Sequence, residues 1–228
     1  MICIYAGADM KPIILLNFKT YEKGIGEKAL ELAKIVDRVA NEEKASIVIV
    51  ADALSVFRVS QSVKVPVFAQ HVDPIGFGSN TGHVLAESVK ASGAVGAVLN
   101  HAEKKMKMED LKKAVERCKE SGLKTAVCAK DMEEVYGILN SKPDYIAFED
   151  PELIGSGIPI SKAHPGKVRD FADFVNNNSD AVPLCGAGIS TGDDVRAALE
   201  LGTKGVILAS AFVNADDPET VLRDLIKF

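Results

Sequence analysis

Tyr145-Ile146-Ala147-Phe148-Glu149-Asp150-Pro151-Glu152-Leu153-Ile154-Gly155-Ser156-Gly157 decides how this chain reads. A short apolar run stops at a carboxylate, Glu149, and a loop follows with a proline near one end and two glycines at the other. Continuous apolar runs of this kind are strands covered on both faces, as in parallel sheets. Glycines let backbone approach a ligand closely and leave N–H groups free to meet an anion. A carboxylate at a strand end beside such a loop suits a base under a hinged flap. Base and anion site together suggest proton abstraction from a small phosphorylated substrate.

The same unit recurs from end to end. Strands are predicted at Ile13–Phe18, Ser46–Ala51, Val65–Gln70, Val95–Asn100, Thr125–Cys128, Tyr145–Glu149, Val182–Cys185 and Gly205–Ala209. Amphipathic helical stretches lie between them at Glu27–Val39, Glu109–Lys119, Asp131–Leu139, Val168–Val175 and Asp193–Leu199, and Pro218–Ile226 closes the pattern. Eight such strands, each followed by a helical or loop segment, predict an α/β fold, a single (β/α)8 barrel with a parallel eight-stranded core. The alternative is a doubly wound open sheet, but no Gly-rich dinucleotide fingerprint follows the first strand. One domain is expected over residues 1–228, with residues 1–9 as a possible N-terminal extension, since Met10-Lys11-Pro12 leads directly into the first strand.

Composition narrows the classes further. With 47% hydrophobic residues the chain can bury one large core. A net charge of -5 and the lack of a long basic run argue against nucleic acid as a partner. No apolar run reaches the roughly 20 residues a membrane span needs, and Met1–Asp9 lacks the pattern of a signal peptide. Cys3, Cys118, Cys128 and Cys185 form no CxxC pair, so reduced thiols and a cytoplasmic location are expected.

Two further strand ends carry chemistry. The run Ile13-Ile14-Leu15-Leu16 ends in Asn17-Phe18-Lys19, and Val95-Gly96-Ala97-Val98-Leu99 ends in Asn100-His101-Ala102-Glu103. Together with Glu149 they place a lysine, a histidine and a glutamate at the C-terminal ends of three strands, where barrel enzymes keep their active sites. With these motifs in this order and at this spacing, the chain from Lys11 onward resembles the triosephosphate isomerases, in particular their compact archaeal-type branch.

The resemblance implies interconversion of dihydroxyacetone phosphate and D-glyceraldehyde 3-phosphate through a cis-enediolate, in glycolysis and gluconeogenesis, with no metal or organic cofactor. It makes Glu149 the base, a role that desolvation under a closing loop strengthens. It makes His101 a neutral electrophile at the start of a helical segment; this family is itself the usual illustration of such a histidine, so the role rests on the resemblance. Lys19 becomes the cation that stabilises developing negative charge, with Asn17 and Glu103 in support. Substrate contacts are expected from Asn17, Phe18, Lys19, Ile154, Gly155, Gly157, Gly186, Gly188, Ala209 and Ser210. The glycine-rich segment Asp73–Gly82, with Thr81-Gly82 at its tip and Gln70 before it, is expected to reach into a partner subunit of a homodimer or homotetramer. One departure stands out: Asp150 follows the base directly where many relatives have proline.

Three rivals stay open at this level. A metal-dependent sugar-phosphate epimerase would use His71 and Asp73 as ligands, although a catalytic metal usually needs three. A Schiff-base aldolase would want a lysine where Glu149 stands. A binding-only metabolite sensor would have no use for a positioned base.

Overall fold

Period-two alternation along eight strands builds this molecule. The computed structural model describes residues 11–228; the possible extension at residues 1–9 and Cys3 lie outside them. The strands are β1 (Ile13–Asn17), β2 (Ser46–Ala51), β3 (Val67–Ala69), β4 (Gly96–Leu99), β5 (Lys124–Ala129), β6 (Tyr145–Phe148), β7 (Val182–Cys185) and β8 (Gly205–Leu208). Every neighbouring pair is parallel, and β1 pairs with β8 (Ile13 opposite Gly205) as well as with β2 (Ile13 opposite Ser46), so the barrel closes.

Helices cover the outside: α1 (Gly26–Glu43), α2 (Val56–Ser60), α3 (Ala86–Ala91), α4 (Met108–Glu120), α5 (Met132–Leu139), α6 (Ile160–Ala163), α7 (Pro165–Asn178), α8 (Gly192–Glu200), α9 (Ser210–Val213) and α10 (Pro218–Leu225). Among the described residues no helix is long and apolar enough to cross a membrane. Helices α2, α3, α6 and α9 are too short to show a 3.6-residue period, and sequence periodicity does not reveal them. The long helices extend past their predicted limits; α1 runs on from Val39 to Glu43, where Lys44 takes left-handed backbone (φ 53) and ends it.

Strand edges move for local reasons. β3 begins at Val67 and not at Val65, because Pro66 has no N–H to donate; its carbonyl still accepts the Ile49 N–H at 3.0 Å. β4 stops at Leu99 because Asn100 turns left-handed at φ 58.

Alternation divides the buried residues into two cores. Ile13, Leu15, Val48, Val50, Phe68, Val98, Tyr145, Ala147, Leu184 and Ile207 fill the barrel, while Ile14, Leu16, Ile49, Leu99, Ile146, Phe148 and Val206 face the helices. Phe68 fits inside because Gly96 on the next strand has no side chain: a Cβ there would lie 2.5 Å from its ring. Gly96→Ala should therefore destabilise the fold by about 1–3 kcal/mol, and Phe68→Leu in the same chain should recover part of the loss in urea unfolding.

Pairing of β1 with β8 also brings the first and last long helices together. Arg38 of α1 grips Glu219 of α10 with its two terminal guanidinium nitrogens, at 2.9 and 2.6 Å. Arg223 bridges Glu219 to Glu43 (2.8 and 2.7 Å). Hydrogen bonds from Arg38, then Arg223, hold the Glu219 carboxyl down to about 2 from its ordinary 4.5. A lowered carboxyl contributes stability above its unfolded value and loses it as pH falls towards the folded one. Glu219→Gln should thus lower Tm by about 1–3 °C near neutral pH, since exposed pairs are weak; scans between pH 5 and pH 2 should show the gap from wild type closing.

Candidate active site

The inward-facing positions of each strand all point to one mouth. The inner alternation ends at Asn17 on β1 and, carried one step past β3, β6, β7 and β8, gives Gln70, Glu149, Gly186 and Ala209. Backbone strain gathers at the same rim, with left-handed, non-glycine residues at Lys19 (φ 48), Asn100 (φ 58) and Ala187 (φ 68).

The turns at Lys19 and Asn100 are held by side chains, and the Ala187 carbonyl accepts the Ile160 N–H at 3.2 Å. The Lys19 N–H donates to Asn17 Oδ1 at 3.0 Å, and its carbonyl accepts Gln70 Nε2 at 2.9 Å. Lys19 Nζ then reaches Glu103 Oε1 at 2.7 Å. Asn100 donates through Nδ2 to the Cys128 carbonyl (2.9 Å) and accepts the Met106 N–H (3.0 Å). That fixed turn throws His101 across the mouth. The expected helix start at Ala102 is a single 3-10 turn, Ala102–Lys104, and α4 begins only at Met108. His101 caps the turn: its Nδ1 accepts the Glu103 N–H at 3.1 Å, which puts the ring proton on Nε2. The 3.5 Å approach of Glu103 Oε2 to Nδ1 is consequently not an ion pair.

Glu149 is 5% exposed and is anchored by its N–H to the Ala129 carbonyl at 2.9 Å. Oε1 lies 3.7 Å from His101 Nε2, and Oε2 is buried with no hydrogen-bond partner. A buried carboxylate oxygen without a hydrogen-bond partner is costly. Cys128 and Cys185 stand nearby as intact thiols: burial, then the Glu149 charge, pushes Cys185 up to about 12 and Cys128 well above its usual value.

Asn17, Lys19, His101, Glu149, Ile154, Gly155, Gly157, Gly188, Ala209 and Ser210 line one pocket. Tyr21, Ala187, Ile189, Ser190, Ile207 and Leu208 join them; of these, Ile189 and Ser190 follow Gly188 directly, a contiguity that could have flagged them. Two expected contacts lie elsewhere. Phe18 is fully buried on the outer face and stacks on Phe212 of α9 at 6.1 Å, tying the Lys19 turn to the Ser210 turn. Gly186 backs Glu149: a Cβ there would sit 2.5 Å from Glu149 Cγ and 2.8 Å from Oε1. His71 and Asp73 are bonded to each other at 3.0 Å, and Asp73 Oδ2 accepts the Val84 N–H at 2.7 Å. Among the described residues no three His, Cys, Asp or Glu side chains gather as metal ligands.

A closed parallel barrel with carboxylate, imidazole and ammonium lining one pocket at its C-terminal mouth has the architecture of a TIM-barrel enzyme. The chain matches the triosephosphate isomerase family model over residues 12–228. It is 45% identical to the triosephosphate isomerase of Methanocaldococcus jannaschii over 95% of this chain and 99% of that one. With that of Methanothermus fervidus it shares 46%, over 95% and 98%. The crystal structure of the Bartonella henselae triosephosphate isomerase superposes with a TM-score of 0.72, at 18% identity and with 93% and 98% coverage, a likeness of fold. The chain belongs to the triosephosphate isomerase family.

Packing of Gly186 on the base yields a direct test. Gly186→Ala should leave the circular dichroism spectrum unchanged yet lower kcat by about 10- to 100-fold, because displacing a base by roughly 1 Å costs on that order.

Proposed function

We propose that this chain interconverts dihydroxyacetone phosphate and D-glyceraldehyde 3-phosphate through a cis-enediolate, serving glycolysis and gluconeogenesis in the cytoplasm as one (β/α)8 domain. The observation that carries the reading is the buried Glu149 carboxylate, one oxygen unpartnered, 3.7 Å from His101 Nε2. Glu149 takes a proton from the carbon beside the carbonyl, and the Nε2–H of His101 donates to the carbonyl oxygen. Lys19 Nζ, half-buried at the same mouth, offsets the charge that develops on oxygen. His101 carries the hydroxyl proton of the enediolate from one oxygen to the other, and Glu149 returns the abstracted proton to the neighbouring carbon, where the new C–H bond forms as the carbonyl moves to the first carbon. The phosphate lies among Gly188, Ala209, Ser210 and the flap residues Ile154, Gly155 and Gly157. Gly155 (φ 75) and Gly157 (φ 74) supply the left-handed backbone the flap needs. Closure of the flap excludes water from an intermediate that would otherwise lose phosphate.

The same reading includes assembly as a homodimer or homotetramer. A cavity of about 390 Å³ opens beside the site, lined by Asn17, Lys19, Gln70 and His101 among others. Phe77, in the 73–82 loop, is 80% exposed, and Leu54 is 93% exposed; burying such side chains between copies is favourable. Loop 73–82 of one copy enters this cavity of the other, and the Asp73–Val84 pairing holds its base closed.

Purified protein in EDTA should convert glyceraldehyde 3-phosphate to dihydroxyacetone phosphate rapidly. Glu149→Gln and Glu149→Asp should each lose roughly two orders of magnitude or more in kcat. Turnover that requires added divalent metal and a pentulose phosphate would transfer the case to an epimerase.

A further inference from the structure

Asp150, the first residue beyond the base, makes two contacts with its carboxylate. Oδ1 accepts the Glu152 N–H at 3.0 Å and caps the 3-10 turn Pro151–Leu153. Oδ2 lies 3.5 Å from Nε2 of His164, at the corner between α6 and α7. Asp150 precedes the flap and His164 follows it, so a single side-chain contact spans the base of the whole loop.

The corner that holds His164 is firmly seated. The His164 N–H donates to the Ile160 carbonyl at 2.8 Å, and the fully buried Ile160 donates to the Ala187 carbonyl at 3.2 Å. Lys162 Nζ reaches Asp194 Oδ1 at 2.6 Å, while Asp194 Oδ2 accepts the N–H groups of Ser190 (3.1 Å) and Thr191 (3.0 Å). Gly188 packs directly beneath: a Cβ there would lie 1.9 Å from the Ile158 carbonyl oxygen. The corner is thus bound to the turn after β7, which also carries Gly186, the residue that backs Glu149. Between these two anchored ends, Glu152, Ser156, Gly157 and Ile158 are exposed.

We propose that Asp150 and His164 are positioning residues for the isomerisation: their contact ties the end of β6 to the α6–α7 corner, so Glu149 stays against Gly186 while the flap hinges beyond Asp150. The inference rests on the isomerase reading above. Without the tie, flap motion passes into the strand end and the Glu149 carboxylate samples a wider range. Return of the proton to carbon then slows. The competing loss from the enediolate does not need Glu149: its electron pair expels phosphate by breaking the adjacent C–O bond, and the resulting enol takes up a proton to give methylglyoxal. The partition between the two outcomes reports the position of the base and is insensitive to the amount of folded protein.

His164→Ala removes the tie and leaves the cap; Asp150→Ala removes both. Each should keep KM within about twofold and lose about 5- to 20-fold in kcat. Inorganic phosphate released per isomerisation should rise several-fold, and the double variant should be no worse than Asp150→Ala, as expected for two ends of one contact. His164→Ala with wild-type kcat and partition would overturn the proposal, leaving Asp150 as a turn cap alone. A lowered Tm with unchanged partition would also overturn it, as a purely structural contact. Wild-type protein inactive in EDTA would instead defeat the isomerase reading itself, so the two failures are distinguishable.

Discussion

Closure of eight parallel strands, with β1 paired to β8, is the constraint on which everything else rests. It removes both sheet edges at once and makes one set of alternating positions face a common interior. Ile13 and Leu15 lead to Asn17, Tyr145 and Ala147 lead to Glu149, and Ile207 leads to Ala209. A one-residue slip would swap the two faces of a strand and turn its terminal residue away from the mouth. Registration of the sheet and construction of the site are the same event.

The interior is packed tightly enough to make that registration unforgiving. Gly96 and Gly205 are glycines because Phe68 and the Ile13 carbonyl occupy the space a side chain would need. Against this rigid base the mouth carries what a folded chain ordinarily avoids: left-handed backbone at Lys19, Asn100 and Ala187, and a buried carboxylate oxygen without a partner. Such features persist only where the surroundings over-determine them. At Lys19 and Asn100 the side chains of Asn17, Gln70 and Asn100 supply hydrogen bonds that do so.

Around this constellation runs the largely exposed segment 151–158 that follows β6. Its glycines 155 and 157 meet nothing within 4 Å where a Cβ would be, so they are there for backbone conformation. Gly188 and Gly186 are of the other kind, making room for the Ile158 carbonyl and for Glu149. The run Cys185-Gly186-Ala187-Gly188 accordingly combines a backing for Glu149, a strained turn and a seat for the Ile158 carbonyl in four residues.

The fold was legible because buried parallel strands leave short Val/Ile/Leu runs separated by helical periods. That Lys19, His101 and Glu149 would meet in one pocket was legible because each lies within three residues of the end of such a run. Strand limits were less so: Pro66 and the left-handed Asn100 cut two strands short through backbone effects that hydropathy does not register. Phe18 was expected as a substrate contact, yet neighbours along a strand alternate faces, and only the closed barrel shows that Phe18 looks outward; Gly186 does face inward, but onto Glu149. The tautomer of His101, the anchoring of the Lys19 and Asn100 turns, and the contact between Asp150 and His164 belong to tertiary structure alone. Each depends on atoms brought together from separate parts of the chain, and composition or periodicity along the chain carries no record of those distances.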